Sequence, residues 1–234
     1  MKRHARILIP LIAVLFALGF LQFKQRYIDY KPPNVVQAAT IQNENNSYNI
    51  KKMVEASVVI YDKYGGGSGV FINDNIILTA AHLLKDMKVC NIELSDNTIL
   101  ESNDFYIDDK EDIGFIFVEA NEPHIVKVSL TPVNIGDTVY LVGAPFNKFF
   151  KFTLTKGIIS HLDRDLPELN WEDLLQVDAE GGPGSSGGPL YNSKGYVIGM
   201  YVGHACNGGV GISLCENSKS ILETYERALS LRNK

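Results

Sequence analysis

Short β-rich runs separated by turn residues recur along most of this chain, and their spacing constrains the fold more than any other feature of the sequence. The runs are rich in Val, Ile, Tyr and Phe, and Gly, Asn, Asp or Pro stand between them. They cover residues 56–61, 69–72, 76–79, 89–94, 113–118, 138–143, 151–160, 174–178, 196–202 and 210–213. Regularly spaced short strands with turn signals predict an all-β barrel or sandwich.

The last part of the chain has a different, helical period. Ser220 and Glu223 have the spacing of a capping box, which predicts a helix beginning there. Its apolar side chains would form one stripe that packs against the β body. These side chains are Ile221, Leu222, Tyr225, Ala228 and Leu229.

The N-terminus predicts a membrane segment. Lys2, Arg3 and Arg6 precede an uncharged apolar run over residues 7–21, which a water-soluble domain would not leave exposed. We therefore expect residues 1–28 to form an uncleaved signal anchor, a transmembrane helix that tethers the protein to a membrane. The alternative is a cleaved secretory signal, although the best cleavage pattern, residues 17–19, lies inside the apolar run.

Residues 29–49 predict a linker, and residues 50–234 the folded domain. The linker segment is polar, rich in Asn and Gln, and contains Pro32 and Pro33, so we expect it to be flexible or extended. Basic residues flank the apolar run on both sides, which leaves membrane orientation weakly specified. We expect the folded domain to lie outside the cytoplasm.

Composition excludes several classes of protein. A net charge of −5 provides no basic surface for a nucleic acid backbone. The 3 cysteines show no CxxC spacing and the histidines no ligand cluster, so no metal site is predicted. Cys206 and Cys215 flank a glycine-rich turn and could form a disulfide or be two small buried residues.

The segment Gly184–Pro189 is the strongest candidate for chemistry. A nucleophilic serine needs a tight turn, backbone N–H groups aimed at the developing oxyanion, and a nearby general base. Glycines on both sides of Ser186 supply the first two, whereas Ser185 is out of register with them. A bare match of this kind also fits an ordinary glycine-rich loop, so the rest of the chain must decide.

A candidate base and a candidate acid precede this serine. His82 follows an apolar strand and three small residues, Thr79–Ala81, which let an imidazole project into a cleft. Asp112 opens the apolar run 113–118 and is placed to orient a histidine, whereas Asp108 and Asp109 fit solvated turn positions. The order His, Asp, Ser excludes an α/β-hydrolase elbow, which needs an acid and then a histidine after the serine.

These segments together resemble the trypsin-like serine proteases, and most closely their HtrA/Deg branch. The matching segments are residues 67–70 (GSGV), 79–82 (TAAH), 112–115 (DIGF), 177–179 (VDA), 183–190 (PGSSGGPL) and 197–199 (VIG). The resemblance implies two packed antiparallel β-barrels, with His82 and Asp112 from the first and Ser186 from the second. It also implies an oxyanion hole made by the backbone N–H groups of Gly184 and Ser186, and no cofactor.

The chain departs from that family in two respects. HtrA proteins usually carry PDZ modules after the protease, and because this chain stops at Lys234 we expect no PDZ-based regulation and leave its oligomeric state open. Six positions before the nucleophile, near the floor of the primary specificity pocket in this family, stands Glu180 where relatives have a small apolar residue. This acid either selects Lys or Arg at the cleavage site or turns to solvent.

The resemblance predicts a serine endopeptidase acting on proteins or peptides through an acyl-enzyme. A non-catalytic binding or scaffold protein on the same fold is the alternative from another class, although the intact triad positions argue against it. Action on esters, or on the chain itself, also remains open. The sequence names no physiological substrate.

Overall fold

The computed structural model describes residues 44–146, 149–169, 171–204 and 211–232. The predicted anchor, residues 1–28, lies outside these ranges, as does the linker up to residue 43. Within the described ranges, no helix is long and apolar enough to cross a membrane.

Helix α1 spans Glu44–Ala56, so its first residues fall within the segment 29–49 that the sequence predicts to be a linker. Met53 and Ala56 are fully buried, and Ile50 packs against the same core. The Met53 carbonyl accepts hydrogen bonds from Ser57 Oγ at 2.7 Å and from Tyr191 Oη at 3.0 Å. A polar sequence therefore becomes a helix here because tertiary packing covers its few apolar side chains.

The first half of the fold is a seven-stranded antiparallel sheet with the order β5-β4-β1-β2-β3-β7-β6. Its edge strands, β5 and β6, are separated in sequence only by Asn103, so the sheet must curl to bring its two edges together. Because β5 and β6 do not pair with each other, hydrogen bonds do not close the expected first barrel. The strands are β1 Ser57–Tyr61, β2 Gly66–Asn73, β3 Ile76–Ala80, β4 Cys90–Glu93, β5 Ile99–Ser102, β6 Asp104–Asp108 and β7 Ile113–Phe117, with helix α2 Ala81–Leu84 after β3.

The second half is a closed six-stranded barrel with the order β10-β13-β12-β11-β8-β9, which confirms the predicted second barrel. Sequence reasoning missed β11, which begins with Pro189; proline is tolerated at the first residue of a strand, where its missing N–H matters least. The strands are β8 Thr138–Gly143, β9 Thr153–Leu166, β10 Trp171–Val177, β11 Pro189–Asn192, β12 Val197–His204 and β13 Ser213–Asn217, with a 3-10 turn at Pro167–Leu169.

Both halves contribute to one shared apolar cluster. Val70, Leu78 and Phe115 from the sheet meet Met200 and Leu214 from the barrel there. Separate clusters fill the inside of each half. Because the residues of this shared cluster are buried, the removal of their apolar surface from water holds the two halves together.

The cysteines are small buried residues where the structure describes them. Cys90 and Cys215 are free thiols, and Cys206 lies outside the described ranges. Burial raises the pKa of Cys90 to about 11 and that of Cys215 still further, so neither is a reactive thiolate at neutral pH.

The C-terminal helix α3 spans Ser218–Arg232, as the apolar stripe predicted, but its cap differs from the prediction. Asn217 Oδ1 accepts the N–H groups of Lys219 at 2.9 Å and Ser220 at 3.0 Å. Ser220 therefore lies inside the helix and Asn217 caps it. Asn217 occupies the capping position because it is the last residue of β13, and the end of that strand fixes where the helix can begin.

The glycine-rich loop between β10 and β11 lies against β2 and β3. Gly187 has φ +82°, and a Cβ on it would overlap Ser68 O and Thr79 Oγ1 and lie 2.8 Å from Ala80 N. Only glycine accommodates both this backbone conformation and this close approach.

Replacing Asn217 with Ala should lower the free energy of unfolding by about 1–2 kcal/mol, because two helix N–H groups lose their acceptor. Ser220→Ala is the matched control, and its effect should stay within about 0.5 kcal/mol. Urea unfolding of both variants tests the assignment, and a larger loss in the Ser220 variant would restore the predicted capping box.

Gly187→Ala should destabilise the protein by more than about 2 kcal/mol, because the new methyl group meets backbone atoms that cannot move aside. Gly182→Ala in the same loop is the control, since its Cβ would have Pro145 Cβ, 3.9 Å away, as its nearest neighbour. Thermal unfolding of the two variants measures the difference. Equal melting temperatures would show that the loop is not packed as described.

Candidate active site

His82 lies at the surface, two residues after a fully buried strand. Every residue of β3 is buried, and the chain turns at Ala80 into the short helix α2. Ala81 and Leu84 are buried in that helix, whereas 40% of the His82 side chain is exposed. The imidazole is therefore fixed at its base and open at its tip.

Asp112 holds His82 through both carboxylate oxygens. Its Oδ2 lies 2.7 Å from His82 Nδ1, and its Oδ1 accepts the His82 backbone N–H at 2.8 Å. The Asp112 carbonyl accepts the Ala81 N–H at 2.9 Å. Asp112 is 8% exposed and adopts φ +47°, a left-handed conformation that Asp tolerates better than most residues. Because Nδ1 faces a carboxylate, the proton belongs on Nδ1 and leaves Nε2 as an acceptor.

The two serines of the glycine-rich loop have different surroundings. Ser185 is 2% exposed, and its Oγ accepts the Gly182 N–H at 3.3 Å. Ser186 is half-buried and is therefore the more exposed of the two residues. Its choice as the nucleophile stays a prediction.

Backbone N–H groups of the same loop divide into bonded and unbonded ones. The N–H groups of Ser185, Gly187 and Gly188 each donate to a backbone carbonyl at 2.8 Å. Within the described part of the chain, those of Gly184 and Ser186 donate no hydrogen bond. Gly184 has φ +97°, a conformation available to glycine that turns the loop at this point. The loop therefore offers two donors to an incoming oxygen atom.

Ser68, a residue to which sequence reasoning gave no role, ties the loop to the first sheet. Its N–H donates to Ser186 O at 2.8 Å, and its Oγ donates to Gly184 O at 2.9 Å. The same Oγ accepts the Ala144 N–H at 2.9 Å. The only signal in the sequence was that Ser68 lies in the GSGV segment that resembles the family.

The structure brings the backbone of Ser186 to strand β2, which lies next to strand β3, the strand that precedes His82. A Cβ on Gly67 would lie 2.7 Å from Ser186 O and would also overlap the side chain of Leu83, next to His82. Among the described residues, however, Ser186 Oγ makes no hydrogen bond to His82. Hydrogen bonds of this kind are often long in proteins without substrate and shorten when it binds.

Glu180 lies at a cavity beside the loop. The cavity has a volume of about 480 Å³, and its lining includes Glu180, Gly182, His204 and Ile212. Glu180 is exposed, and its carbonyl accepts Thr155 Oγ1 at 2.9 Å. Glu180 thus lines the cavity and is also exposed, so both interpretations of this residue stay open. His204, which carried no signal in the sequence, lines the same cavity and contacts Tyr201 Oη at 3.0 Å.

Similar proteins share this fold and this sequence pattern. The family model described as "Trypsin-like peptidase domain" matches residues 67–200. A probable periplasmic serine endoprotease DegP-like of Pseudomonas fulva is 36% identical over 136 residues, which cover 57% of this chain and 28% of that protein. The protein of that name from a Marinomonas species is 31% identical over 168 residues, 70% of this chain and 35% of that protein. The matches thus cover about a third of each relative.

Solved structures agree with these relatives. A serine endoprotease from Yersinia pestis superposes with a TM-score of 0.68 at 25% identity, covering 78% of this chain and 65% of that one. The HtrA-type protease AlgW with a decapeptide superposes with a TM-score of 0.72 at 21% identity, covering 79% and 67%. At that identity the second match supports the fold alone. By sequence profile, relatives and fold, the chain belongs to the trypsin-like peptidase family.

Proposed function

We propose that the chain is a serine endopeptidase that uses His82, Asp112 and Ser186 as its catalytic triad. The observation that carries this proposal is the pair of contacts between Asp112 and His82. One carboxylate oxygen lies against the ring Nδ1, and the other accepts the backbone N–H. A carboxylate placed in this way fixes the ring orientation and the tautomer that a general base needs. Membership of the trypsin-like peptidase family supports the same assignment.

The reaction would proceed by acyl transfer. Ser186 Oγ attacks the peptide carbonyl carbon while its proton passes to His82 Nε2, and the carbonyl oxygen becomes an oxyanion. His82 then gives this proton to the leaving amine as the C–N bond breaks, which leaves an ester on Ser186. Water then attacks the ester carbonyl carbon and loses a proton to His82. His82 returns this proton to Ser186 Oγ as the ester C–O bond breaks, which releases the free carboxyl group and restores the serine. Asp112 stabilises the imidazolium that forms in each half-reaction.

The oxyanion would be held by the N–H groups of Gly184 and Ser186. Among the described residues, neither of these N–H groups donates a hydrogen bond, whereas those of Ser185, Gly187 and Gly188 do. Neither group therefore has to break such a bond before it donates to the oxyanion. Donors that are already oriented lower the barrier because they need no rearrangement during the reaction.

We further propose that substrates are proteins or peptides and that the enzyme is tethered to a membrane outside the cytoplasm. The apolar run over residues 7–21 supports the tether. Relatives of this chain are named as periplasmic enzymes, which supports a location outside the cytoplasm. Secretion after signal cleavage is the alternative for the same segment.

Ser186→Ala should lower casein cleavage by about 10⁴-fold or more, into the assay background, because the attacking oxygen is removed. The test uses a protein that begins at Asn43, so that α1 remains whole. Ser185→Ala is the matched control and should keep most of the activity, since Ser185 is buried and already bonded to the loop.

A fluorophosphonate probe separates the remaining possibilities. The parent protein should be labelled at Ser186, and the Ser186→Ala variant should not be. Failure of the parent to cleave casein and to react with the probe would contradict the peptidase and favour the scaffold alternative. Labelling without casein cleavage would indicate a narrower substrate range.

Glu180→Gln should reduce any preference for Lys or Arg before the cleaved bond by about 10-fold, because it removes a charge at the cavity beside Ser186. Cleavage of a peptide library by parent and variant measures this preference. Glu101→Gln removes an exposed charge from strand β5 and should leave the preference unchanged. An unaltered preference in the Glu180 variant would mean that this side chain points to solvent.

A further inference from the structure

A second carboxyl group lies buried near Asp112 and takes no part in the proposed reaction. Glu216 belongs to β13, where Leu214 faces the cluster between the two halves and Cys215 faces the barrel interior. Since side chains alternate along a strand, Glu216 faces the same way as Leu214, toward the junction of the two halves. It is only 3% exposed.

This carboxyl group lacks the partners that a buried charge requires. Its Oε2 is inaccessible to solvent and, among the described residues, has no hydrogen-bond partner. Burial, followed by the nearby charges of Glu111, Asp112 and Asp173, raises the pKa of Glu216 to about 8, and Lys110 lowers it by less. The group is therefore mostly neutral at pH 7 and ready to ionise if a positive charge is supplied.

Glu216 lines a cavity with an acidic wall. The cavity has a volume of about 560 Å³ and opens between the β6–β7 turn and the start of β10. Its charged and aromatic lining residues are Asp109, Lys110, Glu111, Trp171, Glu172 and Glu216. None of the proposed catalytic residues, nor Glu180, lines it.

Two of these acids already have a cationic partner, and two do not. Asp109 pairs with Lys85 at 3.1 Å, and Glu111 pairs with Lys110 at 2.6 Å. Within the described ranges, Glu172 and Glu216 form no ion pair. The cavity therefore contains two carboxyl groups that lack an ion-pair partner among the described residues, and Trp171 lines the same cavity.

We propose that this cavity binds an arginine side chain of a partner polypeptide, with its guanidinium group between Glu172 and Glu216 and against Trp171. A guanidinium group forms forked hydrogen bonds with carboxylates and stacks on aromatic rings. It can therefore interact with both the acidic and the aromatic lining residues. A metal ion fits less well, because no group of three or more His, Cys, Asp or Glu side chains in the described residues is arranged to hold one.

Binding would change the charge beside the triad. The guanidinium group stabilises ionised Glu216, which releases a proton and forms an ion pair close to Asp112. Occupancy of the cavity is thereby linked to pH, with tighter binding at higher pH. This inference goes beyond the proposed peptidase activity and does not depend on it.

Fluorescence of Trp171 reports on the site directly, because Trp171 is the only tryptophan in the sequence. The full chain carrying Ser186→Ala, which prevents turnover, is titrated with N-acetyl-arginine amide while Trp171 fluorescence is recorded. The uncharged isostere N-acetyl-citrulline amide is the matched probe. We expect a saturable change with the arginine compound and none with citrulline.

The pH dependence gives a second readout. If only ionised Glu216 binds, affinity should be about 30-fold higher near pH ~9 than near pH ~6.5, as its ionised fraction rises. Glu216→Gln should weaken binding at least about 10-fold near pH ~9 and remove this dependence. Glu172→Gln, at an exposed position, should weaken binding while leaving the fold intact.

One further variant and one salt complete the test. Glu168→Gln removes a nearby exposed charge outside the cavity and should bind like the parent. The proposal is overturned if the parent shows no saturable change, if citrulline binds equally, or if Glu216→Gln binds with unchanged affinity and pH dependence. A saturable response to calcium chloride that the arginine compound cannot displace would also overturn it.

Discussion

The geometry of the site depends on the hydrogen bonds of one buried serine, Ser68. Through its N–H, Oγ and carbonyl it contacts the loop of Ser186, the end of β8 and Thr79 on β3, and it is 2% exposed. His82 follows β3 directly, so the same residue relates the histidine to the loop. Each such bond contributes about 1 kcal/mol, but a buried donor left without a partner costs about 1–3 kcal/mol. This asymmetry keeps the two halves of the site in one arrangement.

Packing and hydrogen bonding have separate tasks in this arrangement. The apolar cluster between the sheet and the barrel supplies most of the stabilisation, but it has no directional preference of its own. The hydrogen bonds of Ser68, and the close approach of Gly187 to β2 and β3, fix the register of the loop against the sheet. Burial therefore holds the halves together, and directional contacts decide where the serine lies.

Two carboxyl groups near the junction of the halves, Asp112 and Glu216, are suited to different roles because their surroundings differ. Both carboxylate oxygens of Asp112 contact His82, one at the ring Nδ1 and one at the backbone N–H. Glu216 has an oxygen without a donor and lies among acidic neighbours, which favours the neutral form. One group is suited to orient a base, and the other to respond to an arriving cation.

Local patterns in the sequence determined the fold class, most strands, the C-terminal helix and the three candidate catalytic residues. These features follow from short-range periodicity, and from glycines and small residues at fixed positions in the chain. The order of His82, Asp112 and Ser186 along the chain excluded an α/β-hydrolase elbow. The resemblance to the trypsin-like proteases came from the short segments around these residues.

Tertiary structure alone decided the features that depend on contacts between distant segments. Helix α1 has a polar sequence and forms because Met53 meets the core. Strands β5 and β6, which follow one another in the chain, become the two opposite edges of the first sheet because they pair with β4 and β7. Asn217, rather than Ser220, caps the last helix because the preceding strand ends there. The roles of Ser68 and Glu216 were invisible for the same reason: a serine or a glutamate acquires its partners, or lacks them, only when segments far apart in the chain are packed together.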